Sequence, residues 1–236
     1  MERIDKLLAS TGRWSRREVK QLVKEGRVLA DSVPANTADQ KIDPETVTLQ
    51  VDGEVVTILK YTYIMMNKPA GVLSATEDPR QKTVLDLLPP ELQRQNLFPV
   101  GRLDKDSQGL LLLTNDGDLA HRLLSPKKHV DKVYYIRTEA PLTHEDQAAF
   151  SEGITLADGT VCLPAKLELL NGGDEALVTL HEGKFHQIKR MIASRGTAVC
   201  QLKRLSMGTL VLDQDLEEGE FRILTGEEVS KIGGKT

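Results

Sequence analysis

Gly101-Arg102-Leu103-Asp104-Lys105-Asp106-Ser107-Gln108-Gly109-Leu110-Leu111-Leu112-Leu113-Thr114-Asn115-Asp116-Gly117 is the stretch on which the reading of this chain turns. Its first half, Gly101 to Gly109, is polar and turn-prone and carries Asp104 and Asp106 two positions apart. A continuous apolar run, Leu110 to Leu113, follows at once, and Asn115-Asp116-Gly117 closes it. A short apolar run between turn signals predicts a strand buried on both faces. A carboxylate in the loop beside such a strand is held firmly and half-desolvated, which is where a catalytic acid or nucleophile is useful. The plainer alternative is that Asp104 caps a turn and pairs with Arg102. Asp116 is expected in the turn that ends the strand.

The pattern G-R-L-D-x-D-x-x-G-L-L-L-L-T-x-D-G resembles the active-site motif of the pseudouridine synthases that act on ribosomal RNA, with the small-subunit branch closest. Three further stretches carry the same resemblance, in the family's order. Tyr63-Ile64-Met65-Met66-Asn67-Lys68-Pro69-Ala70-Gly71 looks like the strand and turn that enter the catalytic domain. Lys132-Val133-Tyr134 matches a K-x-Y motif, and Glu182-Gly183-Lys184-Phe185-His186-Gln187-Ile188-Lys189-Arg190-Met191 matches the third motif. The resemblance implies that Asp104 is the catalytic residue, that Tyr134 stacks on the target uracil, and that Lys189 is the basic partner of Asp104. It also implies a uridine of 16S ribosomal RNA as target, in the uridine 516 class. Ser125-Pro126-Lys127-Lys128-His129 leans toward the small-subunit branch by resemblance only.

Forming pseudouridine breaks the bond from ribose to uracil N1, turns the base and rejoins it through C5. No redox change or external group is needed, so neither cofactor nor metal is expected. The base must first leave its stack, at about a few kcal/mol. A platform such as Tyr134 and an intruding cation such as Arg102 offset this. Asp104 acts as a nucleophile or as a base at the ribose 2′ position; the sequence does not choose. Lys189 would hold Asp104 in place as a carboxylate, since an opposite charge within hydrogen-bonding range favours the ionised form. Asp106 raises a two-carboxylate glycosidase as a rival. Residues two apart need not face one site, however, and no second Asp/Glu motif stands out. No HExxH spacing or glycine-rich phosphate loop is present. Two other rivals are a synthase for large-subunit (23S) RNA and a non-catalytic ribosome-assembly factor, which would have no use for Asp104.

The chain of 236 residues has a net charge of −4, which at first sight argues against a nucleic-acid partner. Its distribution reverses that. Met1 to Arg27 carries eight Lys/Arg against four Asp/Glu, and His181 to Arg204 carries six against one. The compensating acid lies in Val28 to Lys60 and in Asp213 to Glu228. Phosphate contacts need local basic stripes rather than a basic total. No apolar run approaches the roughly 18 residues of a membrane span. The two cysteines, Cys162 and Cys200, are far apart, so each is expected to be a small buried hydrophobe. A cytoplasmic monomer is expected.

Ile4, Leu7 and Leu8 recur at helical spacing, and Gly12 ends that helix. Ser15-Arg16-Arg17-Glu18 is a capping box, followed by an apolar face of Val19, Leu22 and Val23 and a stop at Gly26. Arg16, Lys20 and Lys24 stack at i, i+4 spacing away from that face, with Arg17 beside them, a row suited to successive phosphates. Two short strands are expected, near Arg27–Leu29 and Thr46–Val51. The pattern resembles the alpha-L (S4-like) RNA-binding domain, except that Ala30-Asp31-Ser32 stands where a tight Asn-Gly turn is usual. With the resemblance, the RNA-contact set is Arg3, Lys6, Arg16, Arg17, Lys20, Lys24, Arg102, Lys132, Lys184 and Arg190. The linker is placed near Val55–Tyr61. The expected domains are residues 1–58, S4-like, and residues 59–236, catalytic.

In the second domain strands outnumber helices without regular alternation, which favours an antiparallel α+β sheet. Strands are expected at Tyr63–Met66, Leu110–Thr114, Val133–Thr138, Ala176–His181, Val199–Leu205 and Gly208–Leu212. Helices are expected at Asp118–Leu124, Glu145–Gly153 and Phe185–Arg195, the last with Phe185, Ile188, Met191 and Ile192 buried. Thr225-Gly226-Glu227-Glu228 is a second capping box, so the tail should end in a short helix. The fold class is therefore α+β: a small N-terminal α/β RNA-binding module and a larger catalytic domain on a mixed, mostly antiparallel sheet, as in the pseudouridine synthase fold.

Overall fold

Leu110 to Leu113 are fully buried in the strand β9, Gln108–Thr114, as their unbroken apolar run requires. Leu110 and Leu112 point into a cluster with Leu119, Ala120 and Leu123 of the following helix. Burying four leucines is worth roughly 6–12 kcal/mol, an upper figure because the unfolded chain already hides some apolar surface. The molecule, a computed structural model, is described over residues 1–125 and 130–232. The basic Pro126–His129 stretch lies outside the described residues.

The chain divides into two units. The first holds Met1–Thr62 together with Leu85–Leu97. Its elements are β1 (Glu2–Arg3), α1 (Ile4–Ser10), α2 (Arg16–Lys24), β2 (Val28–Ala30), β3 (Val33–Pro34), β4 (Lys41–Ile42), β5 (Leu49–Val51) and β6 (Glu54–Val56). The strands β3-β2-β5-β6 form one small sheet. Ile4, Leu8, Val19, Val23, Val28 and Leu49 share its core. Ser15 and Glu18 close the capping box on α2 reciprocally. The β2–β3 hairpin is tight despite lacking Asn-Gly: Asp31 and Ser32 both take left-handed φ, 49° and 68°, as a two-residue type I′ turn demands. The segment placed as a linker is partly strand, because β6 pairs with β5 through Val55 and Val56.

Residues 85–97 return to this first unit through a 3-10 turn (Leu85–Leu87) and α3 (Pro90–Gln93). Gln95 Nε2 donates to the Thr11 carbonyl at 2.8 Å and Arg94 to that of Gly12 at 3.4 Å. Gly12 has no room for a side chain: a Cβ there would lie 1.7 Å from the Glu91 carbonyl oxygen.

The second unit holds Tyr63–Val84 and Phe98–Thr236. Along the chain come β7 (Tyr63–Lys68), β8 (Phe98–Pro99), β9, α4 (Gly117–Leu124), β10 (Lys132–Thr138), α5 (His144–Glu152), β11 (Lys166–Leu170), β12 (Glu175–Leu180), α6 (Gln187–Ala193), β13 (Val199–Met207), β14 (Leu210–Val211), β15 (Phe221–Ile223) and α7 (Gly226–Ile232). They build one sheet in the order β11-β12-β10-β13-β9-β7-β15, with β8 and β14 attached. Every pairing is antiparallel except β9 with β13, where Lys203 faces Gln108 and Arg204 faces Gly109. The expected elements are present with ends moved by a few residues, and β8, β11 and β15 were not foreseen. Asp116 caps α4 by accepting from the Leu119 amide and takes a bond from the Tyr63 hydroxyl at 2.8 Å. Glu228 and Thr225 close the second capping box at α7.

Two burial expectations fail. Cys162 is buried, but Cys200 is exposed on β13. Phe185 is 76% exposed rather than part of a buried helical face. His186 adopts a left-handed φ of 47°, so the helix starts only at Gln187 and its 3.6-residue period does not reach Phe185. Gln187, Ile188, Met191 and Ile192 form the buried face instead.

Candidate active site

Parallel pairing of β9 with β13 decides what meets what. It brings the Gly101–Ser107 loop, which leads into β9, to the same end of the sheet as α6, which leads into β13. The close approach is enforced at Gly109, whose φ is +98° and where a Cβ would stand 2.3 Å from the Arg204 carbonyl oxygen. Arg204 is itself buried and donates from Nε to the Leu110 carbonyl at 2.8 Å.

The result joins residues far apart in sequence. Lys189 Nζ lies 3.3 Å from Asp104 Oδ2 and 2.5 Å from Asp106 Oδ1. His186 Nε2 lies 3.5 Å from Asp104 Oδ1. Asp104 is thus partnered by Lys189 and His186, not by the adjacent Arg102 of the simpler reading. Asp106 bonds the same lysine, an arrangement that its spacing from Asp104 left open. The Lys189 hydrogen bond holds its carboxyl below the usual carboxylate range, yet its side chain is mostly exposed.

The loop carrying Asp104 is clamped from β7 and the turn after it. Lys68, fully buried, donates from Nζ toward four carbonyl oxygens: Pro69 at 3.0 Å, Asp104 at 3.1 Å, Lys105 at 3.3 Å and Ser107 at 2.8 Å. Burial pushes its ammonium down to about 8, against the pull of Asp106 and Asp104. The Ser74 hydroxyl donates to the Leu103 carbonyl at 2.9 Å and accepts from the Leu103 amide at 3.1 Å. The Gly71 amide donates to the Lys105 carbonyl at 2.7 Å. A carboxylate on a loop so pinned is preorganised rather than mobile. Lys68 and His186 belong to this arrangement, and sequence reasoning did not single them out. The signals were present: a lysine closing a buried strand, and a histidine within the third motif.

Tyr134 on β10 and Asp104 line one open cleft with Arg102, Leu180, His186, Ile188 and Leu202, of about 460 Å³ including its solvent mouth. Tyr134 is buried and belongs to the core cluster while its ring faces the cleft. Tyr135, one residue on, turns to the other face and bonds Glu175, as the two-fold strand period demands. Among the described residues no group of three His, Cys, Asp or Glu side chains gathers as a metal site.

The basic residues are distributed unevenly. Arg16, Arg17, Lys20 and Lys24 are exposed along α2. Arg3 is tied to buried Asp5 by two bonds of 3.0 and 2.8 Å, and Lys6 to Glu2 at 2.7 Å. In the second unit Arg102 is exposed at the cleft, Lys184 pairs with Glu182, and Arg190 with Asp158 at 2.5 Å. Lys132 is half-buried, and burial lowers its ammonium below the usual range.

Comparison with known proteins agrees with this architecture. The RNA pseudouridylate synthase family pattern matches residues 62–194, and the S4 domain pattern matches residues 2–47. An uncharacterized RNA pseudouridine synthase of Bacillus subtilis is 50% identical over 230 residues, covering 96% of each chain. The ribosomal small subunit pseudouridine synthase A of Vibrio cholerae is 41% identical, covering 98% of this chain and 99% of the relative. A crystal structure of a pseudouridylate synthase superposes with a TM-score of 0.70 at 35% identity, over 98% of this chain and all of the other. With an S4 domain ahead of a mixed-sheet body, and with its motifs in order around one cleft, the chain belongs to the RNA pseudouridylate synthase family.

Proposed function

We propose that this enzyme converts one uridine of small-subunit (16S) ribosomal RNA to pseudouridine, at a site of the uridine 516 class, as a cytoplasmic monomer. The observation that carries the reading is the cleft in which Asp104 stands 3.3 Å from Lys189, beside Tyr134. The address is supported by the 41% identity to a Vibrio cholerae enzyme named for the small subunit.

In this reading Asp104 acts on the target nucleoside, as nucleophile at the sugar or as base at the 2′ position. Lys189 keeps its carboxylate in place, and the Tyr134 ring receives the uracil once it has left its stack. Arg102 at the rim takes part in holding the RNA open. The exposed row Arg16, Arg17, Lys20 and Lys24 supplies phosphate contacts that carry affinity rather than sequence choice. Arg3, Lys6, Lys132, Lys184 and Arg190 assist where RNA phosphates displace their present partners.

Tritium release from uracil C5 of labelled small-subunit ribosomal RNA tests the reading. Wild type releases tritium. Asp104→Asn abolishes release while binding changes less than about tenfold, because the isosteric amide keeps the loop and removes only the carboxylate. Release from large-subunit RNA alone would overturn the address. Activity of Asp104→Asn within about tenfold of wild type would remove Asp104 from the chemistry.

A further inference from the structure

Among the described residues, Phe185 is the one aromatic ring among the large apolar side chains left exposed. It is 76% exposed, beside a helix whose other apolar residues are buried. Its ring stacks on His186, with centroids 3.8 Å apart and planes 20° from parallel. His186 in turn lies 3.5 Å from Asp104 and lines the cleft. The aromatic pair therefore runs outward from the reacting carboxylate to solvent.

This placement is held, not incidental. His186 takes a left-handed backbone, uncommon for a side chain with a Cβ and found where surrounding bonds over-determine it. Those bonds are present. The Gln187 side chain accepts from the Lys184 amide at 2.9 Å, and the Gln187 amide donates to the Lys184 carbonyl at 3.2 Å. Arg190 donates to the Phe185 carbonyl at 3.4 Å, and its amide to that of His186 at 3.0 Å. A continued helix would have laid Phe185 along the core face; the turn instead presents it to water, with one ring face covered by His186.

We propose that Phe185, backed by His186, is the platform on which an unpaired base next to the target uridine stacks when RNA enters the cleft. The inference rests on the proposed function and names a specificity contact for it. Taking a uridine out of its stack leaves a neighbouring base without a partner. Splayed bases are received on aromatic rings, and every base offers a face for this. Phe185 supplies such a ring stacked on His186, which lines the cleft together with Tyr134. The exposed Arg102 at the same cleft offers the RNA backbone a cation.

The test uses the full chain with C5-tritiated small-subunit ribosomal RNA transcript, following binding at several salt concentrations and single-turnover release. Phe185→Ala should weaken binding by about 5- to 150-fold, the span found for one base on one aromatic ring. Its salt slope should match wild type, since no phosphate contact is lost. Its melting temperature should not move, because the side chain is mostly in water. Phe185→Trp and Phe185→Tyr should restore affinity. Binding of Phe185→Ala within about twofold of wild type would overturn the platform, given the expected span. So would a fall of about one unit in salt slope, which would mean that Phe185 only orients a cation. Failure of the Trp and Tyr variants to restore affinity would mark a packing role and overturn it too. If wild type releases no tritium, the proposed function falls and this inference with it. An active wild type with an unaffected Phe185→Ala sinks the platform alone.

Discussion

Replacing Lys68 with methionine should separate stability from turnover. The ammonium serves four carbonyl oxygens, two of which have a backbone donor as well. Asp104 O accepts from the Ser107 amide at 3.1 Å, and Lys105 O from the Gly71 amide at 2.7 Å. The loss therefore falls on the buried Ser107 carbonyl, at about 1–3 kcal/mol for a stranded buried acceptor, and more weakly on the part-buried Pro69 carbonyl, or roughly 1–4 kcal/mol together. An opposing gain comes from removing a buried charge. Folding moves the Lys68 ammonium from its ordinary 10.5 to about 8. That displacement corresponds to ~3 kcal/mol against the charged form, a penalty that methionine does not carry. The two effects nearly cancel, leaving a net change between about 2 kcal/mol of stabilisation and about 1 kcal/mol of destabilisation and a melting temperature within ~10 °C of wild type. Turnover should respond far more strongly. The clamp fixes the loop that bears Asp104, and a displacement of about 1 Å at a reacting group lowers the rate by roughly 100-fold. Single-turnover tritium release and calorimetry on the same preparation decide the matter. Turnover within about tenfold of wild type would refute the clamp, and a melting temperature lowered by more than ~15 °C would refute the cancellation. A pH signature accompanies this. Between about pH 8 and 10.5 the unfolded chain holds a proton on Lys68 that the folded chain has released. The contribution of this group to stability therefore rises with pH across that window and is lowest below it. Turnover moves the other way, falling above about pH 8 as the ammonium gives up its charge and one of its three donors, a limb that Lys68→Met should lack.

Further outcomes follow from other contacts. Asp106→Asn should keep turnover within about tenfold, because Lys189 retains Asp104; a loss as complete as that of Asp104→Asn, measured by tritium release, would revive a paired-carboxylate mechanism. Gly109→Ala should lower the melting temperature by ~10 °C or prevent folding, since a Cβ meets the Arg204 backbone at 2.3 Å under a positive φ; a thermal melt within ~2 °C of wild type would contradict the enforced approach of β9 to β13. Hydrogen bonding from Arg222 holds the Glu228 carboxyl down to about 2, so its stabilisation is complete above pH 4.5 and is lost as pH falls toward 2. After allowance for partial solvent exposure this is worth ~1–2 kcal/mol, and acid unfolding of Glu228→Gln should start from that lower stability with a shallower dependence on pH over the same window.

Local signals were legible because they act over a few residues. The run Leu110–Leu113 can only be a strand covered on both sides, and it is. The two capping boxes place helix starts at Arg16 and Gly226, where reciprocal bonds are found. The basic row on α2 stays off the apolar face because both follow one helical period. The resemblance carried by four motifs gave the family, which the comparisons bear out.

Short-range chemistry along the chain was enough for the kind of each element, the motif loop and the family. Which of these meet depends on pairing across long separations. Asp104 and Lys189 are 3.3 Å apart because β9 pairs in parallel with β13, a register between segments nearly a hundred residues apart. No local pattern encodes that pairing, since it depends on which strands bury each other's faces. The Lys68 clamp has the same origin: a lysine at the end of β7 finds three of its four carbonyls only once the loop before β9 has folded over it. Residues 85–97 return to the first unit, although nothing in their composition marks them as part of it. At Phe185 the periodic reading failed for a definite reason: one left-handed residue, fixed by contacts from Gln187 and Arg190, delays the helix start and turns an apolar ring from the core to solvent beside His186.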